Sequence, residues 1–199
     1  MPSRLAVLAS GRGSNLQAII DHFETLSRER VARVVLVASN RVDSPALIRA
    51  ATSSIEIASF DAGDDGSELL ELLRKFRIDL IVLAGYLKRI PSTVISEYGG
   101  RIINIHPALL PDFGGEGMYG ARVHEAVIAS GAKESGVTVH VVDDDYDRGP
   151  IIAQWRVPVE PSDTPESLAA RVLSVERLVY PRVVEMVAVL QQLESKTTV

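Results

Sequence analysis

The feature that most restricts the fold of this chain is a series of short, continuously apolar runs separated by segments with helical spacing. The apolar runs lie at 5–8, 34–38, 55–58, 80–84 and 102–105. Runs without polar alternation are typical of strands that are buried on both faces. The segments between them, at about 16–26, 45–51, 67–76 and 91–97, have the periodicity of amphipathic helices. Repeated units of this kind predict a doubly wound, mostly parallel α/β sheet of the Rossmann-like type.

The second half of the chain departs from this alternation. The segments 136–142 and 151–157 are strand-like, but only the short sequence "DDDYDRGP" joins them. A connection of that length cannot hold a crossover helix, so it predicts a late antiparallel addition to the sheet.

A long C-terminal helix is predicted from "SDTPESL" onward. Its start has polar capping residues and Pro165 near the first turn, and we expect Pro181 to kink or break it. We expect the last residues, 194–199, to be frayed. With 199 residues, 46% of them hydrophobic, and no repeat or long linker, the chain is expected to form a single domain over 1–199.

Composition excludes several classes of function. The net charge of −5, with scattered Lys and Arg, disfavours a nucleic-acid partner. The absence of cysteine excludes disulfides, thiolate chemistry and Cys-ligated zinc. No apolar run reaches the length of a membrane span, and the N-terminus does not have the pattern of a signal peptide. We therefore expect a cytoplasmic protein with small-molecule substrates and no membrane partner.

The first strand is followed by "SGRGSNLQA", which is typical of a loop that leads into a helix. Backbone amides and the positive end of a helix can bind an anion there, so a phosphate site is one interpretation and an ordinary capped turn is the other. A dinucleotide site is disfavoured, because Leu16 stands where a third glycine would fall and the second strand ends without an acidic residue.

The fifth strand ends in "NIHP", which puts Asn104 and His106 on one face of the strand. An Asn amide can donate to a developing oxyanion, and a His can donate or move a proton near neutral pH. The pair could polarise a carbonyl group. The alternative is a structural His beside a turn-forming Asn.

The acidic turn "DDDYDRGPI" resembles a calcium loop only in the spacing of its aspartates. Its sixth position is Arg148 instead of Gly and its twelfth is Gln154 instead of Glu. The four histidines form no helical pair at metal-ligand spacing, so no metal is expected. The aspartates are either solvated turn residues or include a carboxylate that holds His106 charged.

Taken together, these motifs identify a resemblance to a known family. The chain resembles the phosphoribosylglycinamide formyltransferases of purine biosynthesis, which are folate-dependent. The similarity extends from about residue 5 to 190, and its carriers are "SGRGSNLQAII", "VVLVASN", "DLIVLAGYLKRI", "GRIINIHPALLPDF", "GVTVHVVDDDYDRGPII" and "LAARVLSVERLVYP".

The resemblance implies transfer of a formyl group from 10-formyltetrahydrofolate, as co-substrate, to the amine of glycinamide ribonucleotide. It implies the catalytic residues Asn104, His106 and Asp147. It implies ribonucleotide binding by Gly13, Ser14, Asn15 and Glu176. It implies folate binding by Leu87, Lys88, Arg89, Ile90, Asn104, Val142, Asp143, Asp144 and Tyr146. The phosphate-binding half would be 1–100 and the folate-binding and catalytic half 101–199, in a monomer or homodimer.

Two departures from the family pattern affect this interpretation. The segment "GGEGMYGARVHEA" is several residues longer than the corresponding loop in many members, and its glycines predict a turn-rich cover. The segment "FDAGDDGSELL" lacks an Arg that many members place near the folate, so Lys88 or Arg89 is expected to meet the folate tail instead. We interpret His140 as a packed or supporting residue and His124 as structural.

Other functions remain open at this point. Methionyl-tRNA and sugar-amine formyltransferases resemble the "NIHPALLP" segment but usually carry a further C-terminal domain. Formyltetrahydrofolate hydrolases usually carry an N-terminal regulatory domain. A binding protein without catalytic activity is the alternative from a different class, and formyl turnover would distinguish it.

Overall fold

The computed structural model describes residues 1–26 and 31–197, and the side chains of this part except that of Thr197. Its strands are β1 (Ser3–Leu8), β2 (Ala32–Ser39), β3 (Glu56–Ser59), β4 (Leu80–Leu83), β5 (Ile102–His106), β6 (Glu134–Val141) and β7 (Ile151–Pro158). Its helices are α1 (Ser14–Thr25), α2 (Pro45–Thr52), α3 (Ser67–Lys75), α4 (Ser92–Tyr98), α5 (Ala121–Ser130) and α6 (Pro165–Thr197). The predicted elements are all present, and their ends differ from the prediction by a few residues.

The seven strands form one sheet in the order β3-β2-β1-β4-β5-β6-β7. The first five strands pair in parallel, whereas β6 is antiparallel to β5 and β7 is antiparallel to β6. This confirms the predicted fold class, with its mostly parallel sheet, late antiparallel strands and long C-terminal helix. The register aligns Leu8, Leu83, Asn104 and His140 in one row across four neighbouring strands.

Helices cover the two faces of the sheet unequally. Apolar side chains of α1, α2, α5 and α6 pack against one face, in a core cluster that includes Ile103 and Ile105 of β5. Side chains of α3 and α4 pack against the other face, beside Ile102. Because successive residues of a strand alternate between faces, Asn104 and His106 share the face of Ile102. In the described part of the chain, this second face has only two helices, so the end of β5 and its neighbour β6 are covered by loops there.

The sequence predicted that Pro181 would kink or break the C-terminal helix, and the break is wrong, because α6 continues through Pro181 from Pro165 to Thr197. A proline inside a helix removes one backbone donor and crowds the carbonyl group one turn earlier. Burial on both sides compensates here. Tyr180, Val183 and Val184 are all buried in the core, and the Tyr180 hydroxyl lies 2.8 Å from the carbonyl oxygen of Leu83.

The C-terminal end is helical further than expected. We expected fraying from residue 194, whereas α6 reaches Thr197; residues 198 and 199 lie outside the described residues. None of the helices within 1–26 and 31–197 combines the length and the hydropathy that crossing a bilayer requires.

Candidate active site

A cavity of about 1100 Å³ lies where β1 and β4 end and β5 and β6 continue past them. The following residues with a predicted role line it: Asn15, Leu87, Lys88, Arg89, Ile90, Asn104, His106, Val142, Asp143, Asp144, Tyr146, Asp147 and Glu176. Gly13 and Ser14 are not part of the lining, although they immediately precede Asn15 at the start of α1. Segments that are distant in the sequence therefore meet in one cavity.

Asn104 is oriented by a histidine of the neighbouring strand. His140 lies opposite Asn104, and its Nδ1 donates to the carbonyl oxygen of Val141 at 2.9 Å. Nε2 of the neutral imidazole is then an acceptor, and the Asn104 amide donates to it from Nδ2 at 3.1 Å. The second N–H of the amide has no hydrogen-bond partner in the described residues, so it can donate to a ligand in the cavity.

The His106 imidazole has a different partner at each nitrogen. Nε2 lies 2.8 Å from the carbonyl oxygen of Phe113, which can only accept, so Nε2 carries a proton. Nδ1 lies 3.5 Å from Oδ2 of Asp147, which is too long for a good hydrogen bond. The Nδ1 side of the ring is therefore the side on which a second proton would be gained or lost.

Asp147 connects both histidines to the backbone of the glycine-rich segment. Its Oδ2 accepts a hydrogen bond of 2.9 Å from the amide of Gly115, and its Oδ1 lies 3.5 Å from Nε2 of His140. Burial opposes ionisation, but the neighbouring imidazoles of His140 and His106 and the hydrogen bond from the Gly115 amide together outweigh it and hold the pKa of Asp147 below its usual value. Asp147 is thus an anion at neutral pH.

The expectation that Asp147 holds His106 charged is not met in the protein without substrates. Burial disfavours the imidazolium and lowers the pKa of His106 below its ordinary value, although Asp147 and the Phe113 carbonyl act in the opposite direction. The His106 side chain is only 4% exposed, and the 3.5 Å contact with Asp147 is too long to offset the loss of water. The neutral form of His106 is therefore favoured near neutral pH.

The loop before α1 has the geometry of a helix start with free backbone amides. Gly13 precedes the helix with a φ of +72°, and no side chain caps the first turn. A Cβ atom at this position would lie 3.0 Å from Cα of Ala46, so both the backbone and the contact with α2 require glycine. Free amides at the end of α1 can bind an anion beside Asn15.

Glu176 of α6 reaches this loop from the far end of the chain. Its Oε2 accepts a hydrogen bond of 2.8 Å from Nδ2 of Asn15, and the two residues are only 7% and 8% exposed. Burial raises the pKa of Glu176 to about 7, and the bond from Asn15 only partly opposes this. Oδ1 of Asn15 is buried without a partner in the described residues. This pair can therefore accept and donate hydrogen bonds to a ligand.

The predicted folate segment and the acidic loop meet across the cavity. The guanidinium group of Arg89 donates to the carbonyl oxygen of Asp144. Lys88 is exposed at the same cavity and has no ion pair or hydrogen bond in the described residues. Of the two basic residues expected to meet the folate tail, Arg89 is thus engaged with the loop and Lys88 is free.

The acidic loop folds back on itself through a short Asx turn, in which the amide of Asp145 donates to Oδ1 of Asp143 at 3.0 Å. Gly149 closes the loop, and a Cβ atom there would lie 1.9 Å from the carbonyl oxygen of Val141. The loop therefore returns to the sheet only because residue 149 has no side chain.

Four contributors stand out among those that were not predicted from the sequence as parts of a site. Arg12, Tyr86 and His124 line the cavity, and the phenol oxygen of Tyr86 and Nδ1 of His124 are buried without a partner in the described residues. Burial lowers the pKa of His124, and the electrostatic effect of nearby His106 acts in the same direction. The fourth is the carbonyl group of Phe113, a backbone contact that leaves no signal in the sequence.

Among residues 1–26 and 31–197, no group of three or more acidic or histidine side chains is arranged to hold a metal ion.

Comparisons with known proteins give a consistent result. Residues 3–184 match the family model described as formyl transferase. The chain is 45% identical over 188 residues to the chloroplastic phosphoribosylglycinamide formyltransferase of Arabidopsis thaliana, covering 91% of this chain and 64% of that protein. It is 37% identical over 190 residues to the phosphoribosylglycinamide formyltransferase of Escherichia coli, covering 92% and 86%.

A solved structure is similar along its whole length. Glycinamide ribonucleotide transformylase 1 of Geobacillus kaustophilus superimposes with a TM-score of 0.86 at 39% identity, covering 94% of this chain and 100% of that one. The chain spans less than two thirds of the plant relatives and 14% of a trifunctional purine biosynthetic protein of Drosophila melanogaster.

Proposed function

Because this chain belongs to the formyl transferase family, we propose that it is a phosphoribosylglycinamide formyltransferase of purine biosynthesis. It would transfer the formyl group of 10-formyltetrahydrofolate to the amine of glycinamide ribonucleotide. The names of its relatives support this activity. The single observation that carries the proposal is that one cavity contains both the Asn104, His106 and Asp147 group and the Asn15–Glu176 pair.

The two ends of the cavity suit the two substrates. Asn15 and Glu176 line one end, where the free amides of Asn15 and of the adjacent Gly13 and Ser14 are proposed to bind the ribosyl phosphate, and Glu176 to hold the glycinamide amine. At the other end, apolar and aromatic side chains suit the flat pterin ring of the folate, and backbone groups suit its polar edge. That end comprises Leu87, Lys88, Arg89, Ile90, Asn104, Val142, Asp143, Asp144 and Tyr146.

The proposed reaction needs no protein nucleophile. The free amine attacks the formyl carbon, and negative charge grows on the formyl oxygen. The unpaired N–H of Asn104 would donate to this oxygen, as would Nδ1–H of His106 in its charged form. As the bond from the formyl carbon to N10 of the folate breaks, N10 gains a proton and the amine loses one. Asp147, which is ionised, would assist this transfer through water.

The low pKa of His106 fits a proton that arrives during the reaction. In the protein without substrates, burial favours the neutral imidazole. Charge developing on the formyl oxygen lies next to Nδ1, and a nearby negative charge raises the pKa of a histidine. His106 would therefore take up, through water, the proton that the attacking amine loses, donate from Nδ1 to the oxyanion, and release that proton toward N10 as the folate leaves, with Asp147 beside it.

The proposal extends to the organisation of the chain. The phosphate-binding part would lie within 1–100 and the catalytic part within 101–199 of one domain. This division is supported by Gly13, Ser14 and Asn15 in the first part and by Asn104, His106 and Asp147 in the second. Two groups are exceptions to this division. Glu176 lies in the second part but is proposed to bind the ribonucleotide, and residues 87–90 lie in the first part but are proposed to bind folate. We propose a cytoplasmic monomer or homodimer.

The test is the deformylation of 10-formyltetrahydrofolate by the purified chain, with and without glycinamide ribonucleotide. The expected result is turnover that depends on the ribonucleotide and falls on the order of 100-fold or more in Asn104→Ala and in His106→Ala. The melting temperature of each variant, compared with that of wild type, serves as the control for folding. Deformylation without ribonucleotide would indicate a hydrolase, and none at all would indicate a binding protein or a different acceptor.

A further inference from the structure

Four non-glycine residues of the described chain have a left-handed backbone: Ser54, Arg77, Phe113 and Asp147. Ser54 and Arg77 follow the ends of α2 and α3, where this conformation is common. Phe113 and Asp147 lie in neither position, with φ values of +56° and +55°. Both contact the same imidazole, that of His106. A bulky residue in this region is unusual, and such outliers occur preferentially at functional sites.

The contact made by Phe113 determines where the protons of His106 reside. A carbonyl oxygen has no proton to give, so the 2.8 Å contact requires a proton on Nε2. In neutral His106, Nδ1 then has a lone pair, which faces Oδ2 of Asp147 at 3.5 Å. If the carbonyl group were absent, the proton of the neutral ring would be drawn to Nδ1 by the carboxylate.

We propose that Phe113 is a positioning residue, whose left-handed backbone holds its carbonyl group on Nε2 of His106 and thereby fixes the Nε2–H tautomer. The exchangeable proton site is then Nδ1, between the substrate cavity and Asp147. The Phe113 ring packs against the main core cluster, whereas the left-handed backbone is what directs the carbonyl group of Phe113. The amide of Gly115, two residues later, donates to Asp147, so the same short segment positions both side chains.

Gly114, at the beginning of the glycine-rich segment, is needed for this arrangement. Gly114 separates the two contacts, and a Cβ atom there would lie 2.4 Å from Cδ2 of Leu110 and 3.2 Å from Cβ of Asp147. The segment therefore approaches His106 and Asp147 more closely than a chain with a side chain at 114 could. The tautomer assignment is independent of the proposed function, whereas its effect on turnover rests on that function.

The test is a long-range ¹H–¹⁵N correlation spectrum of the full chain, labelled with ¹⁵N-histidine and free of substrates. It is recorded at about pH 8, where an ordinary histidine is neutral. Loss of signals in His106→Asn assigns the resonances of His106. The expected pattern is a protonated Nε2 and an unprotonated Nδ1 for His106. A protonated Nδ1 in wild type would overturn the proposal.

Two variants separate the backbone from the ring of Phe113. Phe113→Asn and Phe113→Val both remove the ring, but Asn tolerates the left-handed region and Val, being β-branched, does not. We expect Phe113→Asn to keep the Nε2–H tautomer and most of the turnover. We expect Phe113→Val to show both tautomers and about tenfold lower turnover. Identical spectra and turnover in the two folded variants would overturn the proposal.

If Phe113→Val does not fold, the wild-type and Phe113→Asn spectra decide, since loss of the Nε2–H tautomer in either contradicts the proposal. If the spectra are as expected but the chain transfers no formyl group, the proposed function is contradicted and the tautomer assignment stands.

Discussion

The side chain of Asn104 donates to Nε2 of His140 at 3.1 Å, across the antiparallel pair β5 and β6. Since Nδ1 of His140 is committed to the carbonyl oxygen of Val141, the imidazole presents a fixed acceptor to the amide. His140 thus fixes the orientation of the Asn104 amide, with Nδ2 directed toward the imidazole. His140 was interpreted from the sequence as a packed or supporting residue. In the structure it contacts the proposed oxyanion donor, Asn104, directly.

Replacing His140 tests this relationship. We expect His140→Leu to lower kcat by about tenfold or more with little change in KM, because the Asn104 amide loses its acceptor and can rotate. His140→Gln keeps an acceptor oxygen on a flexible side chain and should retain more of the activity. Steady-state kinetics of both variants provide the measurement, and equal kcat values for Leu and wild type would contradict the expectation.

Glu176 should make stability depend on pH. Its pKa is about 7 in the folded chain, against an ordinary value of 4.5, so the unfolded state ionises first. The folded state then holds more protons between these values, and stability falls as pH rises from about 4.5 to 7. At the alkaline end the loss is about 3 kcal/mol, from 1.36 kcal/mol per pKa unit.

Glu176→Gln removes this dependence and keeps the acceptor for Asn15. We expect the variant to unfold at a higher temperature than wild type at about pH 8 and at a similar temperature at about pH 4.5. Its KM for the ribonucleotide should rise. Glu125→Gln, an exposed position on α5, is the matched control. If the melting temperatures of Glu176→Gln and wild type differ by the same amount at every pH, the assignment is refuted.

Lys88 and Arg89 should have separable effects on folate. Arg89 holds the carbonyl group of Asp144, so Arg89→Ala should raise KM for mono- and polyglutamylated folate alike by loosening the loop. Lys88 has no partner in the described residues, so Lys88→Ala should raise KM mainly for polyglutamylated folate, whose tail carries more negative charge. KM values for both forms of the co-substrate give the answer. A larger effect of Lys88→Ala on the monoglutamate would argue against a role at the tail.

Gly13→Ala should weaken binding of the ribonucleotide. The new Cβ atom would meet Ala46 and would also strain a left-handed backbone, so the amides of the loop must shift. We expect KM for the ribonucleotide to rise about tenfold, which is the loss of roughly 1.4 kcal/mol, with a smaller effect on KM for folate. Gly100→Ala is the control, since Gly100 has φ +73° with open space around it and does not line the cavity.

The sheet could be predicted because its strands consist of continuous apolar runs, such as 80–83, which is buried. The position of Asn104 and His106 on one face followed from strand periodicity alone. Gathering Asn15, Glu176 and Asp147 around them relied on resemblance to the family, since local patterns say nothing about which loops meet. The Asn15–Glu176 contact joins residues 161 positions apart.

The rest was out of reach for physical reasons. The role of Phe113 lies in its carbonyl group and its φ angle, and neither depends on a recognisable side-chain motif. Arg89 and Lys88 are adjacent basic residues, and only the position of the Asp144 carbonyl distinguishes them. The charge of His106 was misjudged because burial of the ring outweighs a carboxylate at 3.5 Å, and burial is a property of the folded chain.

The Asn15–Glu176 contact also has a consequence for the time at which activity can begin. During synthesis, residues 104–147 leave the ribosome well before α6, so the proposed catalytic side chains exist while the partner of Asn15 is still absent. Asn15 and Glu176 can form their hydrogen bond only after α6 has packed against α1. A chain that lacks α6 therefore lacks one partner of this contact, and we expect such a fragment to bind glycinamide ribonucleotide only when the helix is supplied as a separate peptide.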